Sequence, residues 1–146
     1  MRNHNLSGVV KLLKVQDHTT AGTSTITSDA IDMLGYTGVL VLSSFGTAAS
    51  NNTAKLQQSS DNGSTDDYSD LTGTSITSGS SDEDVWLDLY RPQKRYVKAV
   101  FARGTSTTLE SVWAILYGPL SAPVSFNNTT GTIVGEAHVE ESEGTA

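Results

Sequence analysis

The sequence predicts an all-β fold, namely a single-domain antiparallel β sandwich of the jelly-roll kind. The chain has 146 residues, which suits one domain with a hydrophobic core. Only 36% of the residues are hydrophobic and 17% charged, and abundant Ser, Thr, Asn and Gly disfavour long helices. About eight short β-prone segments follow one another at fairly regular spacing, which is the pattern of a sandwich or jelly roll.

The segment from Val85 to Gly118 is the richest in residues that suit a strand. The aliphatic residues at 85, 87 and 89 alternate with Trp86, Asp88 and Tyr90, which is the period of a β-strand. Pro92 ends this run because it lacks the N–H that a ladder needs. Two further runs, 96–103 and 109–117, flank a polar tip. We therefore expect a meander of three antiparallel strands whose last two are joined by a tight hairpin.

The N-terminal half carries weaker strand signals and one strong one. Residues 8–15 predict a first strand, whereas residues 28–35 could hold a single helical turn that ends at Gly35. The strong signal is 36–45, in which Val39 and Val41 face one way while leucines at 40 and 42 face the other. A strand that is apolar on both faces is expected to be central or covered on both sides.

The predicted domain organisation is an N-terminal arm over residues 1–7, a sandwich over 8–126 and a C-terminal tail over 127–146. The arms are polar, and polar chain ends either fray or become ordered on a neighbour. We expect both arms to become ordered on partner subunits.

The net charge and the absence of known motifs exclude several classes of function. The formal net charge of −7 argues against nucleic-acid binding, which needs a basic surface. The N-terminus lacks an apolar signal region, and the longest apolar stretches are too short to span a membrane. There is no nucleophile elbow or phosphate-binding loop, and there are no cysteines. We therefore expect no enzyme, no cofactor, no metal and no membrane partner, in a protein made in a cytoplasm.

Two acidic loops raise the question of calcium. The loop that begins at Asp61 places oxygens at alternate positions, like the start of an EF-hand. The EF-hand also requires Gly at the sixth position and Glu at the twelfth, where this chain has Asp66 and Thr72. A second acidic cluster occupies 82–84. Solvated loop carboxylates are the favoured interpretation of both clusters, and a loop-bound calcium ion is the alternative.

Five basic residues fall close together in this acidic chain and form a candidate docking patch for an acidic partner surface. The other interpretation is an internal ion-pair network with the acidic residues at 82, 83, 84 and 88. The patch consists of Arg91, Lys94, Arg95, Lys98 and Arg103.

Four aromatic residues form a second candidate site. They occur as two i, i+4 pairs, so the members of each pair share one face of a strand: Trp86 with Tyr90, and Trp113 with Tyr117. An open face would be a platform for stacking sugar rings, as in a carbohydrate- or receptor-binding module. Large aromatic residues on strands are more often core residues, and burial is therefore the expectation.

Several short elements follow one another in a specific order between roughly 35 and 124. The upstream elements are Gly38–Leu42 with Phe45-Gly46-Thr47, then Leu56–Ser59. The most specific elements are Leu87-Asp88-Leu89-Tyr90-Arg91-Pro92, Arg95-Tyr96-Val97 and Tyr117-Gly118-Pro119. In this order they resemble a family of small virion proteins, the head decoration (capsid cement) proteins of tailed bacteriophages.

This resemblance implies a β sandwich that cements the outer surface of the phage head by bridging major capsid protein subunits, often as a homo-oligomer such as a trimer. It implies no catalytic residues. A head-completion or tail-connector protein is a further alternative, which would be present in far fewer copies per particle.

Overall fold

The computed structural model describes residues 5–48, 51–122, 124, 133–138 and 142–144. Twelve β-strands and one short 3-10 helix make up the regular structure of these residues. In chain order they are η1 Leu6–Gly8, β1 Val10–Gln16, β2 Thr19–Gly22, β3 Ile26–Thr27, β4 Ile31–Asp32, β5 Tyr36–Phe45, β6 Thr53–Ser59, β7 Ser69–Asp70, β8 Ile76–Thr77, β9 Glu83–Tyr90, β10 Tyr96–Ala102, β11 Thr107–Leu109 and β12 Val112–Pro119.

The strands form two antiparallel sheets that pack against each other, so the predicted sandwich is confirmed. Several short strands are two halves of one interrupted ribbon. In sheet A the order is β1/β2, β12/β11, β5, β9, and in sheet B it is β3/β4, β10, β6, β7/β8. Numbered as eight ribbons along the chain, these orders are 1-8-3-6 and 2-7-4-5. This is the jelly-roll arrangement, in which the chain crosses between sheets at nearly every connection.

The predicted three-stranded meander is wrong, although its strands exist. β9 pairs with β5, β10 pairs with β6, β3 and β4, and β12 pairs with β1 and β5. The turn after Tyr90 and the turn after Arg103 carry the chain from one sheet to the other instead of folding it back beside itself. Alternation of side chains predicts each strand and its two faces, but it contains no information about the neighbouring strand.

Two shorter segments also differ from expectation. The helical turn predicted for 28–35 is absent, because Ile31–Asp32 pairs with β10 and Ile31 is fully buried. Asp32 accepts a hydrogen bond from the Leu34 backbone N–H, so it closes a turn rather than capping a helix. β2 lies in a Thr-rich stretch in which no strand was predicted.

The core lies between the inner faces of the two sheets. Phe45 of β5 and Phe101 of β10 meet edge to face, with their ring centroids 6.1 Å apart and an interplanar angle of 69°. Around them pack buried aliphatic residues from both sheets, notably Ile31, Leu56 and Leu116. The large apolar area of the aromatic rings makes this cross-sheet pair a main contact between the layers.

The chain arms lie partly outside the described residues, namely at 1–4 and over most of 125–146. The described part of the N-terminal arm contains the 3-10 helix, and the Asn5 side-chain amide donates a hydrogen bond to the His138 carbonyl oxygen at 2.8 Å. No described part of the chain forms a helix of the length and apolarity that crossing a membrane requires. Ordering of the arms on partner subunits stays a prediction.

Replacing the buried ring of Phe101 tests the cross-sheet core. We expect Phe101→Ala to lower the free energy of unfolding by about 3–5 kcal/mol, because it leaves a cavity opposite Phe45. Urea denaturation followed by circular dichroism measures this change. Leu34→Ala is the control, since Leu34 is largely exposed, and a similar loss in both variants would contradict the proposed core.

Candidate interaction face on the outer side of sheet A

The outer face of sheet A is built by four neighbouring strands in register. Partner residues across antiparallel strands share a face, so the pairing defines three rows that run across the sheet. The rows are Val10–Tyr117–Gly38–Tyr90, Leu12–Ile115–Leu40–Asp88 and Lys14–Trp113–Leu42–Trp86. Nine of these twelve positions hold aliphatic or aromatic residues.

The outer face of sheet B is different in character. The central strand β6 presents polar side chains there, and two of them contact the edge strand β7: Asp70 accepts hydrogen bonds from Lys55 at 2.6 Å and from Gln57 at 2.7 Å. Of the two described sheets, only sheet A is therefore mainly apolar on both of its faces. In the sequence, the leucines at 40 and 42 were the indication of this apolar outer face. Hydrogen bonding to neighbouring strands does not require apolar side chains on the outer side of a sheet, so their presence indicates that this side is covered.

The four aromatic residues of the predicted platform all lie on this outer face, so the expectation that they are core residues is wrong. Trp86 and Tyr90 on β9 are 65% and 64% exposed, whereas Trp113 and Tyr117 on β12 are half-buried. β5 separates the two pairs. The expectation of burial was wrong because aliphatic residues occupy the core-facing positions of both strands instead.

Tyr117 lies across the sheet at Gly38. A Cβ atom at Gly38 would come within about 2.2 Å of the Tyr117 ring, so only glycine leaves room for it. The ring thereby spans β5, and its hydroxyl donates a hydrogen bond to Asp88 Oδ1 on β9 at 2.6 Å. Partial burial, together with this bond and the Asp88 charge, raises the pKa of Tyr117 to about 12.

An open depression lies over β5 and β9 on the same face. It has a volume of about 840 Å³ and is lined by apolar side chains at its floor, such as Leu40 and Leu42. Trp86 forms one wall. Apart from Val85, the remaining lining is polar or acidic and comes from Ser43, Ser44, Asp84, Asp88, Glu110 and Ser111.

The predicted basic patch is not a free cationic surface. Lys94 forms an ion pair with Asp66 at 2.7 Å, and Arg95 pairs with Asp32 through two hydrogen bonds of 2.8 and 2.7 Å. Lys98 lies 4.3 Å from the centroid of the Tyr68 ring. Arg91 is exposed, with its guanidinium 6.0 Å from the Tyr90 ring centroid. The acidic partners predicted at 82, 83, 84 and 88 take no part in these pairs.

Arg103 is a buried residue, so its predicted place in the docking patch is wrong. It is 6% exposed, and its guanidinium donates four hydrogen bonds of 2.8–2.9 Å. The acceptors are the carbonyl oxygens of Ser24, Thr20 and Thr107 and the Ser24 hydroxyl. Arg103 therefore ties the β2–β3 connection to β11, a role that its position after a strand does not indicate.

The acidic loops use their carboxylates within the loops themselves. Asp61 accepts hydrogen bonds from the backbone N–H groups of Ser64, Thr65 and Asp66 and from the Thr65 hydroxyl, and these bonds lower its pKa. Glu83 similarly accepts from the Gly79 and Ser80 N–H groups. Across the described ranges no three His, Cys, Asp or Glu side chains converge on a point where a metal ion could sit.

Alkaline pH tests the Tyr117 contact. The folded-state pKa of about 12 lies above the ordinary value of 10.0. The neutral phenol therefore contributes stability that is fully present below pH 10 and is lost as pH rises through 12. We expect urea unfolding at about pH 8 and about pH 11 to show a larger loss of stability for the native protein than for Tyr117→Phe. Tyr90→Phe, which alters an exposed ring, is expected to follow the native protein.

Arginine replacements test the different roles inside the predicted patch. We expect Arg103→Lys to cost about 2–4 kcal/mol of unfolding free energy, because an ammonium group cannot satisfy four acceptors in a fork geometry. Arg95→Lys changes an exposed ion pair and is expected to cost at most about 1 kcal/mol. Thermal and urea denaturation measure both, and equal costs would contradict the buried role of Arg103.

No protein-family model matches the chain, and no curated protein matches it. A search of solved structures gives the crystal structure of a chain described as the PBSX exported protein XepA. The similarity has a TM-score of 0.52 at 21% identity, and it covers 93% of this chain and 46% of that one. This chain thus spans less than half the length of its structural neighbour, and at this identity the likeness shows a shared fold.

Proposed function

We propose that this chain is a structural protein of a bacteriophage particle that binds major capsid protein subunits through the outer face of sheet A, and so decorates and stabilises the head. The observation that carries the proposal is that largely apolar four-stranded outer face, on which Trp86 and Tyr90 are exposed and most other apolar residues are half-buried. Contiguous apolar patches at the surface of a monomer commonly mark interaction sites. A sheet face held rigid by hydrogen-bonded strands suits adhesion to another protein surface.

The family resemblance supports the same face. Two of its most specific elements, Leu87–Pro92 and Tyr117–Pro119, lie on β9 with its following turn and at the end of β12. Tyr90 and Tyr117 from these elements form one row with Gly38. The structural neighbour is described as an exported protein, and we take that description as compatible with a place on a particle.

The size of the face suits a contact that is repeated many times. Four strands about 4.8 Å apart, with three rows of side chains, give a flat area of roughly 400 Å². A typical stable interface buries about 800 Å² on each partner, so one such contact is modest. On a capsid lattice the contact recurs, and linkage of several copies in a homo-oligomer would multiply it by avidity.

Two other roles remain as alternatives. A head-completion or tail-connector protein would use the same face in far fewer copies per particle. A carbohydrate- or receptor-binding module is favoured by one observation, the exposure of Trp86 and Tyr90, because aromatic faces can stack on sugar rings.

The copy number in particles tests the proposal. We expect mass spectrometry of gradient-purified particles from the phage that encodes the chain to find on the order of hundreds of copies per head, as avidity across a lattice requires. A count of about a dozen would favour a connector, and absence from particles would contradict the structural role.

Variants of the face sharpen this test. We expect Leu40→Asn combined with Ile115→Thr to lower capsid occupancy about tenfold, because both side chains lie in the central row. Lys55→Gln, on the outer face of sheet B, is the control and should leave occupancy unchanged. Melting curves of the purified variants confirm that each one folds.

A further inference from the structure

Three carboxylates surround Trp86 on the outer face of sheet A. Asp84 and Asp88 lie two residues before and after it on β9, so all three side chains share a face, and Glu110 lines the same depression. Asp84 is exposed, and its side chain makes no hydrogen bond or ion pair with any described residue. Asp88 accepts the Tyr117 hydroxyl, and Glu110 lies 3.2 Å from His18. None of the three forms an ion pair with a described Lys or Arg.

Most basic side chains in the described part of the chain are engaged by other groups, whereas Arg91, directly after β9, is exposed and forms no ion pair with a described residue. Lys14, Lys55, Lys94 and Arg95 each have an acidic partner, and Arg103 is bound by backbone oxygens. The electrostatic arrangement is therefore the reverse of the one that the basic patch suggested. Five of the eight described Lys and Arg side chains are thus compensated within the chain, whereas Asp84 carries a negative charge without an ion-pair partner beside the exposed indole of Trp86.

We propose that the protein surface bound by this face presents an arginine or lysine that sits on the Trp86 ring between Asp84 and Asp88, within an otherwise apolar contact. The inference rests on the proposed function and names the chemistry of its partner. Tryptophan is the best aromatic acceptor for a cation, and carboxylates beside the ring strengthen the attraction. Leu40 and Leu42 on the floor of the depression would contact apolar neighbours of that basic residue.

A neutral sugar would use the same ring less well. It could stack on Trp86 and hydrogen-bond to the carboxylates, but it would leave their charge uncompensated while desolvating it, which is costly.

A third role for the carboxylates is protection of the edge of sheet A. Among the described strands β9 pairs only with β5, and charges on an open edge strand discourage strand pairing between copies. The experiment separates these three roles.

The binding test uses the full chain and two synthetic probes, the peptides acetyl-Leu-Arg-Leu-Arg-Leu-amide and its Gln-for-Arg counterpart. The indole N–H signals in NMR spectra report on the two tryptophans of the chain, and Trp113→Phe assigns the Trp86 signal. We expect the Arg peptide to shift the Trp86 signal, with an affinity that falls as salt rises. The Gln peptide and neutral maltoheptaose are expected to bind at least about tenfold more weakly.

Charge variants identify the residues responsible. We expect Asp84→Asn with Asp88→Asn to weaken binding of the Arg peptide about tenfold. Asp29→Asn with Asp67→Asn changes the net charge equally at two exposed positions away from the face, and it should have little effect. Equal binding of both peptides overturns the proposal, as does maltoheptaose binding that the Asn pair leaves intact. Self-association of the Asn pair with unchanged peptide affinity would assign the carboxylates to edge protection alone and would also overturn it.

The same variants separate this inference from the proposed function. If purified particles contain the chain but the Asp84→Asn, Asp88→Asn variant binds them as tightly as the native protein, the basic-residue proposal fails while the structural role stands. If particles lack the chain but the Arg peptide binds at Trp86 as described, the particle role fails and the recognition chemistry stands.

Discussion

Strand β5 is hydrogen-bonded on both sides and apolar on both faces. The rest of the molecule is arranged so that both edges of this strand are paired and its inner face is covered. Its inner side chains, Val39, Val41 and Phe45, are buried against sheet B. Its outer side chains, Leu40 and Leu42, are covered only in part by β9 and β12 residues in the same sheet. A soluble antiparallel sheet normally turns polar groups outward. Here the outward side remains suited to a second apolar surface.

The sequence allowed the fold class and most strands to be predicted, because side-chain alternation reports which residues share a face. Tyr36–Phe45 was predicted with its bounds, and the jelly-roll kind of sandwich followed from segment number and spacing. Pairing was not predictable in the same way. β9, β10 and β12 are adjacent along the chain, yet they lie in two sheets, and only their distant partners β5, β6 and β1 determine that arrangement.

Part of the candidate site could be predicted from the sequence. The i, i+4 spacing put Trp86 with Tyr90 and Trp113 with Tyr117, but it could not tell an outer face from an inner one. The cluster of basic residues was a weaker guide, because ion pairs form between residues far apart in sequence, such as Arg95 with Asp32 and Lys94 with Asp66. The cost of burying Arg103 is offset by backbone acceptors that no charge count reveals.

The path of the chain brings its first and last described strands together at one side of the sandwich. β1, the first strand, is the neighbour of β12, the last, and the Val124 N–H bonds to the Gly8 carbonyl oxygen. β9 with Trp86 forms the opposite border of the same sheet. A protein domain attached near Gly8 or Val124 would therefore sit at the border opposite Trp86, which would leave the depression beside that ring accessible.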